Sequence, residues 1–292
     1  MRLSEALDFG AKLVGKRDAM YVLQNVTGKT HEEVLIRGEP DICSNELAEF
    51  EQKIKRLTGG EPLQYVLGKW DFCGIEFIVD RRALIPRPET ELLVEAVLDY
   101  AKGKRRLDIL DVCTGSGCIG LSIAKLTGFR HNVVLSDISD KALSLARENC
   151  LHTVPRAEQY PCSPGARGWG QNSNAPTGQV SIFQSDLLDQ VTGEFDIIVS
   201  NPPYITTSDM KTLPDNVKNF EPHLALDGGA DGLDIYKRLI PESFEKLKPG
   251  GMIFLEIGPT QAIEIMQESC FTDIKIQKDY AGIDRILSSF KN

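Results

Sequence analysis

From Leu107 onward the chain repeats one unit: a short β-branched run, a turn, and a stretch with helical periodicity. Strand-like runs fall at 107–112, 132–136, 180–184, 195–200 and 252–257, and helix-like ones at 117–126, 139–150, 231–247 and 259–268. This alternation leaves few solutions, because parallel strands need crossovers long enough to carry a helix back across the sheet. It predicts a sheet covered by helices on both faces. Two more strand-like runs, 272–278 and 283–288, fit a closing antiparallel pair. The fold class is α/β, with a mostly parallel seven-stranded sheet.

The first 60 or so residues follow a different rule and read as helices. Thr30-His31-Glu32-Glu33 has the T-x-x-E form of a capping box. Leu47, Phe50, Ile54 and Leu57 then recur at helical spacing between Ser44 and the stop signal Gly59-Gly60. Gln64 to Asp80 reads as strand, with Ile75, Phe77 and Val79 alternating after a turn at Gly74, so a β-hairpin is expected. The expected organisation is a helical domain at 1–62, a hairpin connector at 63–80 and the α/β domain at 81–292. Residues 152–178 hold four prolines and four glycines without an apolar period, and are expected to form a mobile inserted loop.

Composition narrows the function. A net charge of -9 argues against a general nucleic-acid binder, which must neutralise phosphates. No run approaches the ~18 apolar residues that span a bilayer, and the first residues lack the apolar core of a signal peptide. The seven cysteines include no C-x-x-C pair and the four histidines no H-E-x-x-H. No metal site is expected, and a reducing cytoplasm is the expected location.

Two loops carry the chemistry. In "DVCTGSGCIG", Gly115, Gly117 and Gly120 follow a strand and open a helix, and Asp137 stands twenty residues past Gly117 at the end of the next strand. That pattern suits an adenosine-containing cofactor, with the acid on the ribose hydroxyls. Taken alone it fits a nicotinamide dinucleotide as well as S-adenosylmethionine. Asp111 favours the methyl donor, since a carboxylate there could meet an ammonium group and would repel a pyrophosphate. Asp186, after the third strand, is placed to accept a hydrogen bond from an adenine amino group.

The second loop is "SNPPYI". Pro202 and Pro203 stiffen it and, having no N–H, leave the Pro202 carbonyl as an acceptor; the Asn201 side-chain oxygen is another. Two converging acceptors suit a substrate NH2 group, and Tyr204 could stack on a flat one. A nicotinamide-dependent oxidoreductase leaves this loop unexplained. An idle binding module would have no use for it.

The chain resembles the HemK/PrmC-type glutamine N5-methyltransferases, which modify class 1 peptide chain release factors. The resemblance rests on "EPLQYVLG", "FIVDRRALIPRPETE", "DVCTGSG", "SNPPYI", "EPHLALDGGADGLDIY", "LKPGGMIFLEIG" and "DYAGIDRI", in that order. It implies a Rossmann-like class I S-adenosylmethionine-dependent methyltransferase domain, preceded by helices that dock the release factor. The substrate implied is the glutamine of the GGQ motif. It also implies that Thr114, Gly115, Ser116, Gly117, Asp137 and Asn201 contact the cofactor, and that Asn201, Pro202, Pro203 and Tyr204 hold the glutamine. Cys113 stands where relatives often carry glycine, and Leu187 where several carry an aromatic ring; both positions fall in the cofactor site. The Asn-Pro-Pro-Tyr loop is shared with adenine-N6 methyltransferases acting on nucleic acid, the alternative reading, which wants a basic groove that this composition does not offer.

Overall fold

The computed structural model describes residues 1–35, 41–154, 178–258 and 261–292. The chain forms two compact units, Met1–Trp70 with Pro214–Phe220, and Asp71–Leu213 with Glu221–Asn292.

The first unit contains α1 (Leu3–Val14), α2 (Lys16–Thr27), α3 (His31–Leu35), α4 (Ser44–Thr58) and α5 (Leu63–Leu67). Thr30 closes the expected capping box: its hydroxyl accepts from the Glu33 N–H at 3.3 Å, while its own N–H donates to the Glu33 carboxylate at 2.7 Å. On α4, Phe50 and Ile54 are buried in a core shared with Leu3, Leu7 and Leu23, and Leu47 and Leu57 border it. The strand expected from Gln64 is helical as far as Leu67. Pro62 sits at its N-cap, and Gly68, left-handed at φ 78°, ends it with an N–H to the Gln64 carbonyl. A short apolar run satisfies either period, and here the flanking Pro and Gly decide. The hairpin follows as β1 (Lys69–Phe72) and β2 (Ile75–Ile78), joined at Cys73-Gly74 with both φ values positive, as a type I′ turn requires.

The second unit continues through α6 (Pro88–Ala101), β3 (Asp108–Val112), α7 (Cys118–Leu126), β4 (Asn132–Asp137), α8 (Asp140–Thr153), β5 (Val180–Gln184) and β6 (Phe195–Ser200). The chain then gives α9 (Asp215–Lys218) to the first unit before α10 (Asp234–Lys246), β7 (Leu247–Glu256), α11 (Gln261–Glu268), β8 (Thr272–Lys278) and β9 (Asp284–Phe290). The seven strands lie in the order β5-β4-β3-β6-β7-β9-β8, parallel from β5 to β7, with β9 antiparallel to both neighbours. Of the expected inserted loop, His152 and Thr153 belong to α8, and 155–177 lie outside the described residues. β7 starts earlier than expected: Leu247 already pairs with Phe195, and the register shifts across Lys248 to Gly251 before resuming at Met252.

Both faces are packed, as the alternation requires. Ile109 points into a core with Leu93, Leu121 and Leu135, and its neighbour Leu110 into one with Tyr236, Leu239 and Ile253. Strand order reverses around β3, whose neighbours are β4 and β6. Ligands bind at such a switch point, outside the carboxyl ends of the strands. The last paired residues there are Val112 and Ser200, so the loops beginning at Cys113 and Asn201 start side by side.

A glycine-rich segment backs the second loop. Ile205 bridges Asp227, donating to the Leu226 carbonyl at 2.9 Å and accepting from the Gly228 N–H at 2.8 Å. A Cβ on Gly228 would press into the backbone of Pro203 and Tyr204. At Gly232, φ is 75° and a Cβ would collide with the Tyr204 carbonyl. Gly232→Ala is expected to cost about 2 kcal/mol or more, from left-handed strain and overpacking together, measured as a fall in the denaturant midpoint. An unchanged midpoint would show that the segment does not support the loop.

Candidate active site

A cavity of about 230 Å³ opens at the carboxyl ends of β3, β4, β5 and β6. Of the residues singled out in the sequence, Cys113, Thr114, Gly115, Ser116, Asp137, Asp186, Leu187, Asn201 and Pro203 line it. Asp111, Gly117, Pro202 and Tyr204 do not.

Asp111 is the clearest departure from expectation. Its carboxylate is fully buried beneath the glycine loop, where Oδ2 accepts from the Thr114 hydroxyl and from the Gly120 N–H at 2.9 Å. It therefore holds the loop from inside instead of facing a ligand's ammonium group. Oδ1 has no partner among the described residues, and burial pushes the carboxyl up to about 7. Gly117, at φ 84°, turns the chain into α7, and a Cβ there would crowd Leu121 and Leu135. Its contribution is to backbone shape.

Asp137 reaches the cavity. Its Oδ2 accepts from the Gly115 N–H and its Oδ1 from the Ser139 N–H, both at 2.9 Å. Each oxygen keeps a further lone pair for a hydroxyl. Burial raises its pKa, and these backbone donors oppose the rise. Asp186 is paired with Arg238, whose Nη1 lies 3.1 Å from Oδ1 and 3.3 Å from Oδ2. Cys113 and Leu187 have φ values of 58° and 46°, a region where glycine is free and other residues are strained. Burial pushes the Cys113 thiol up, which makes it a poor nucleophile.

In the Asn-Pro-Pro-Tyr loop, Asn201 faces the cavity and its Nδ2 donates to Thr90 Oγ1 at 3.2 Å. Thr90 in turn donates to Glu256 Oε2 at 2.6 Å. The Tyr204 ring lies against Gly258, where any Cβ would collide with it, and the Glu256 charge acts on its phenol. Burial pushes that phenol up to about 12. Tyr204 is thus tied to the end of β7 and does not wall the cavity. Glu221, 4% exposed, accepts from the Ile85 N–H at 3.1 Å and from Arg87. It fastens "IPRPETE" to "EPHLALDGG". Thr90, Glu221, Arg238 and Glu256 were not identified from the sequence; the motif segments containing three of them were, but no local pattern says which side chain meets which.

Residues 14–68 match the family model described as the PrmC N-terminal domain, 131–275 that of the Eco57I restriction-modification methylase, and 90–159 that of the ubiE/COQ5 methyltransferase family. The chain is 38% identical over 276 residues to the release factor glutamine methyltransferase of Clostridium acetobutylicum, covering 92% of this chain and 89% of that one. With the protein of the same name from Koribacter versatilis it shares 40% over 254 residues, 85% of this chain and 81% of the other. The chain belongs to the release factor glutamine methyltransferases.

Like other release factor glutamine methyltransferases it is an S-adenosylmethionine-dependent enzyme. The fold extends beyond the family: a methyltransferase from Pyrococcus furiosus superposes with a TM-score of 0.51 at 19% identity, over 86% of this chain and all of that one. A 16S rRNA N2 G1207 methyltransferase from T. thermophilus, solved with AdoMet and guanosine, gives 0.52 at 18%, over 77% of this chain and 50% of the other. The cavity suits the cofactor, because Asp137 keeps acceptor capacity where a ribose would lie and the glycine loop presents backbone at its floor.

The buried Asp111 makes a testable statement about stability. Its folded pKa exceeds the ordinary carboxylate value, so between about pH 4 and 7 the folded state binds more protons than the unfolded state. This contribution therefore falls as pH rises through that window and stays at its lowest above it. Asp111→Asn removes the titration. Its Tm relative to the parent protein should climb by about 2 °C or more from pH 5 to pH 8; a flat difference would mean that the acid is ionised throughout.

Proposed function

We propose that the enzyme methylates N5 of the glutamine in the GGQ motif of class 1 peptide chain release factors, with Asn201 as the residue that receives the glutamine amide. The observation carrying this reading is that Asn201 and the glycine loop, starting from paired strand ends, line one cavity.

An amide nitrogen is a poor nucleophile because its lone pair is delocalised into the carbonyl. S-adenosylmethionine, when bound, supplies an electrophilic methyl group. Asn201 Oδ1 accepts one N–H of the glutamine amide, and we assign the other to the carbonyl of Pro202, which does not itself line the cavity but lies between Asn201 and Pro203, which do; together they fix the plane of the amide and favour pyramidal nitrogen. Pro202 and Pro203 keep both acceptors in place without a reorganisation cost. Positioning of this kind can lower a barrier by roughly 7–11 kcal/mol. No strong base is needed, since the methylated nitrogen is acidic and loses its proton to water. Asp137 holds the ribose hydroxyls, Asp186 with Arg238 borders the adenine, and the backbone from Cys113 to Ser116 frames the rest of the cofactor. Tyr204, packed against Gly258, stiffens the loop.

Nucleic acid is disfavoured as substrate by the net charge of -9. The match to a restriction-modification methylase covers residues 131–275 and leaves out the glycine loop. We assign docking of the release factor to the N-terminal helical unit, since a glutamine side chain cannot by itself identify one protein among many. Phe9 and Leu13, four residues apart on α1, are 43% and 52% exposed and form a suitable contact. We infer a cytoplasmic location from the proposed release-factor substrate; no helix among the described residues is long and apolar enough to cross a membrane.

Asn201→Ala and Asp137→Ala should fail differently. The first removes an acceptor at the reacting centre and should lower kcat by about 10²–10³ with cofactor affinity kept. The second removes contacts made equally in ground and transition states and should appear in the cofactor's Kd and KM. Calorimetry and turnover on intact release factor separate the two, and near-normal turnover of Asn201→Ala would refute the acceptor role. For docking, Phe9→Ala with Leu13→Ala should raise KM for the intact release factor while leaving the Kd for S-adenosylmethionine unchanged. An unaltered KM would remove α1 from the interface.

A further inference from the structure

Asn201 is useful as an acceptor only when its amide oxygen faces the substrate. A terminal amide has two orientations of nearly equal shape, and only its hydrogen-bond partners choose between them. The choice here is made two residues away. Glu256, at the end of β7, is 2% exposed and takes the Thr90 hydroxyl proton at 2.6 Å. A hydroxyl has one proton, so Thr90 Oγ1 presents only lone pairs to Asn201. The NH2 end of Asn201 meets them at 3.2 Å. The reverse orientation would set two oxygens against each other with no proton between them.

We propose that Thr90, oriented by Glu256, is a positioning residue that fixes the Asn201 amide with its oxygen toward the substrate nitrogen. This rests on Asn201 being an acceptor. Glu256 acts in this way as a carboxylate, which can only accept, and the Thr90 hydroxyl meets its Oε2 at 2.6 Å. Burial pushes its carboxyl up, while the Thr90 hydroxyl, the Arg285 guanidinium and the Tyr204 hydroxyl oppose the rise. The same carboxylate therefore reaches Asn201 through Thr90. Thr90 itself is 3% exposed, so its hydroxyl has no bulk water to turn toward.

The test uses the full-length enzyme, with turnover on intact release factor and calorimetry with S-adenosylmethionine. Thr90→Val keeps the shape and removes the hydroxyl, leaving the Asn201 NH2 group facing a methyl. The amide then turns to satisfy its donors elsewhere, and kcat should fall about 10- to 100-fold, with cofactor affinity retained. Thr90→Ser should restore most of the rate. In the Asn201→Ala background, Thr90→Val should cost little more, because Thr90 acts only through that amide. Parental turnover in Thr90→Val, a serine variant as slow as valine, or the full valine loss recurring without Asn201 would each overturn the proposal. If Thr90→Val does not fold, Thr90→Ala is taken through the same cycle. Near-normal turnover in Asn201→Ala alone would instead overturn the acceptor reading on which the proposal stands.

Discussion

The site depends on how β3 and β6 end. Their parallel pairing runs to Val112 and Ser200, and the Ser200 hydroxyl closes it by donating to the Val112 carbonyl at 2.6 Å. From that point the glycine loop leaves one strand and Asn-Pro-Pro-Tyr the other. Their separation is thereby set by backbone pairing, which is stiffer than any side-chain contact. The remaining supports act on loops whose origins are already fixed. Asp111 holds the first from beneath, Asp137 from the side, and the segment around Gly228 and Gly232 presses on the second from behind.

Three buried carboxylates surround the cavity, and they do different work. Glu221 and Glu256 join segments far apart in the chain, one linking Ile85 and Arg87 to the 221–228 stretch, the other linking α6 to β7. A buried carboxylate is costly unless it is hydrogen-bonded, and removing one partner costs more than the pair gains. Such groups act as pins: they add little net stability but penalise any rearrangement that separates their donors. Asp111 differs in leaving one oxygen without a donor among the described residues, and burial raises its pKa.

The sheet was legible because its signal is local. Ile109 and Leu110 declare opposite faces by adjacency alone, and each strand-to-helix turn is marked by glycine or by an acid. Gln64 to Leu67 misled because four residues cannot display a period. Asp111 was visible as an acid near the glycine loop, but sequence does not say on which side of a loop a side chain lies. Tyr204 misled in the same way: an aromatic ring beside an amide suggests stacking, whereas Gly258, far along the chain, is what accommodates it. Thr90 and Glu256 are 166 positions apart. Neither offers a local pattern, and only the fold brings the hydroxyl and the carboxylate together.

The chain's excursion at Pro214–Phe220 has an evolutionary consequence. This segment clusters with the N-terminal helices although it lies between the Asn-Pro-Pro-Tyr loop and the "EPHLALDGG" stretch. The helical unit is therefore discontinuous in the gene, not a bead added to the front of an enzyme. Grafting a relative's first seventy residues onto this catalytic domain would bring in helices selected alongside a different 214–220 segment. The two pieces form one compact unit, so exchanging either alone would leave the other without its native neighbour, and the unit is hard to transfer by simple recombination.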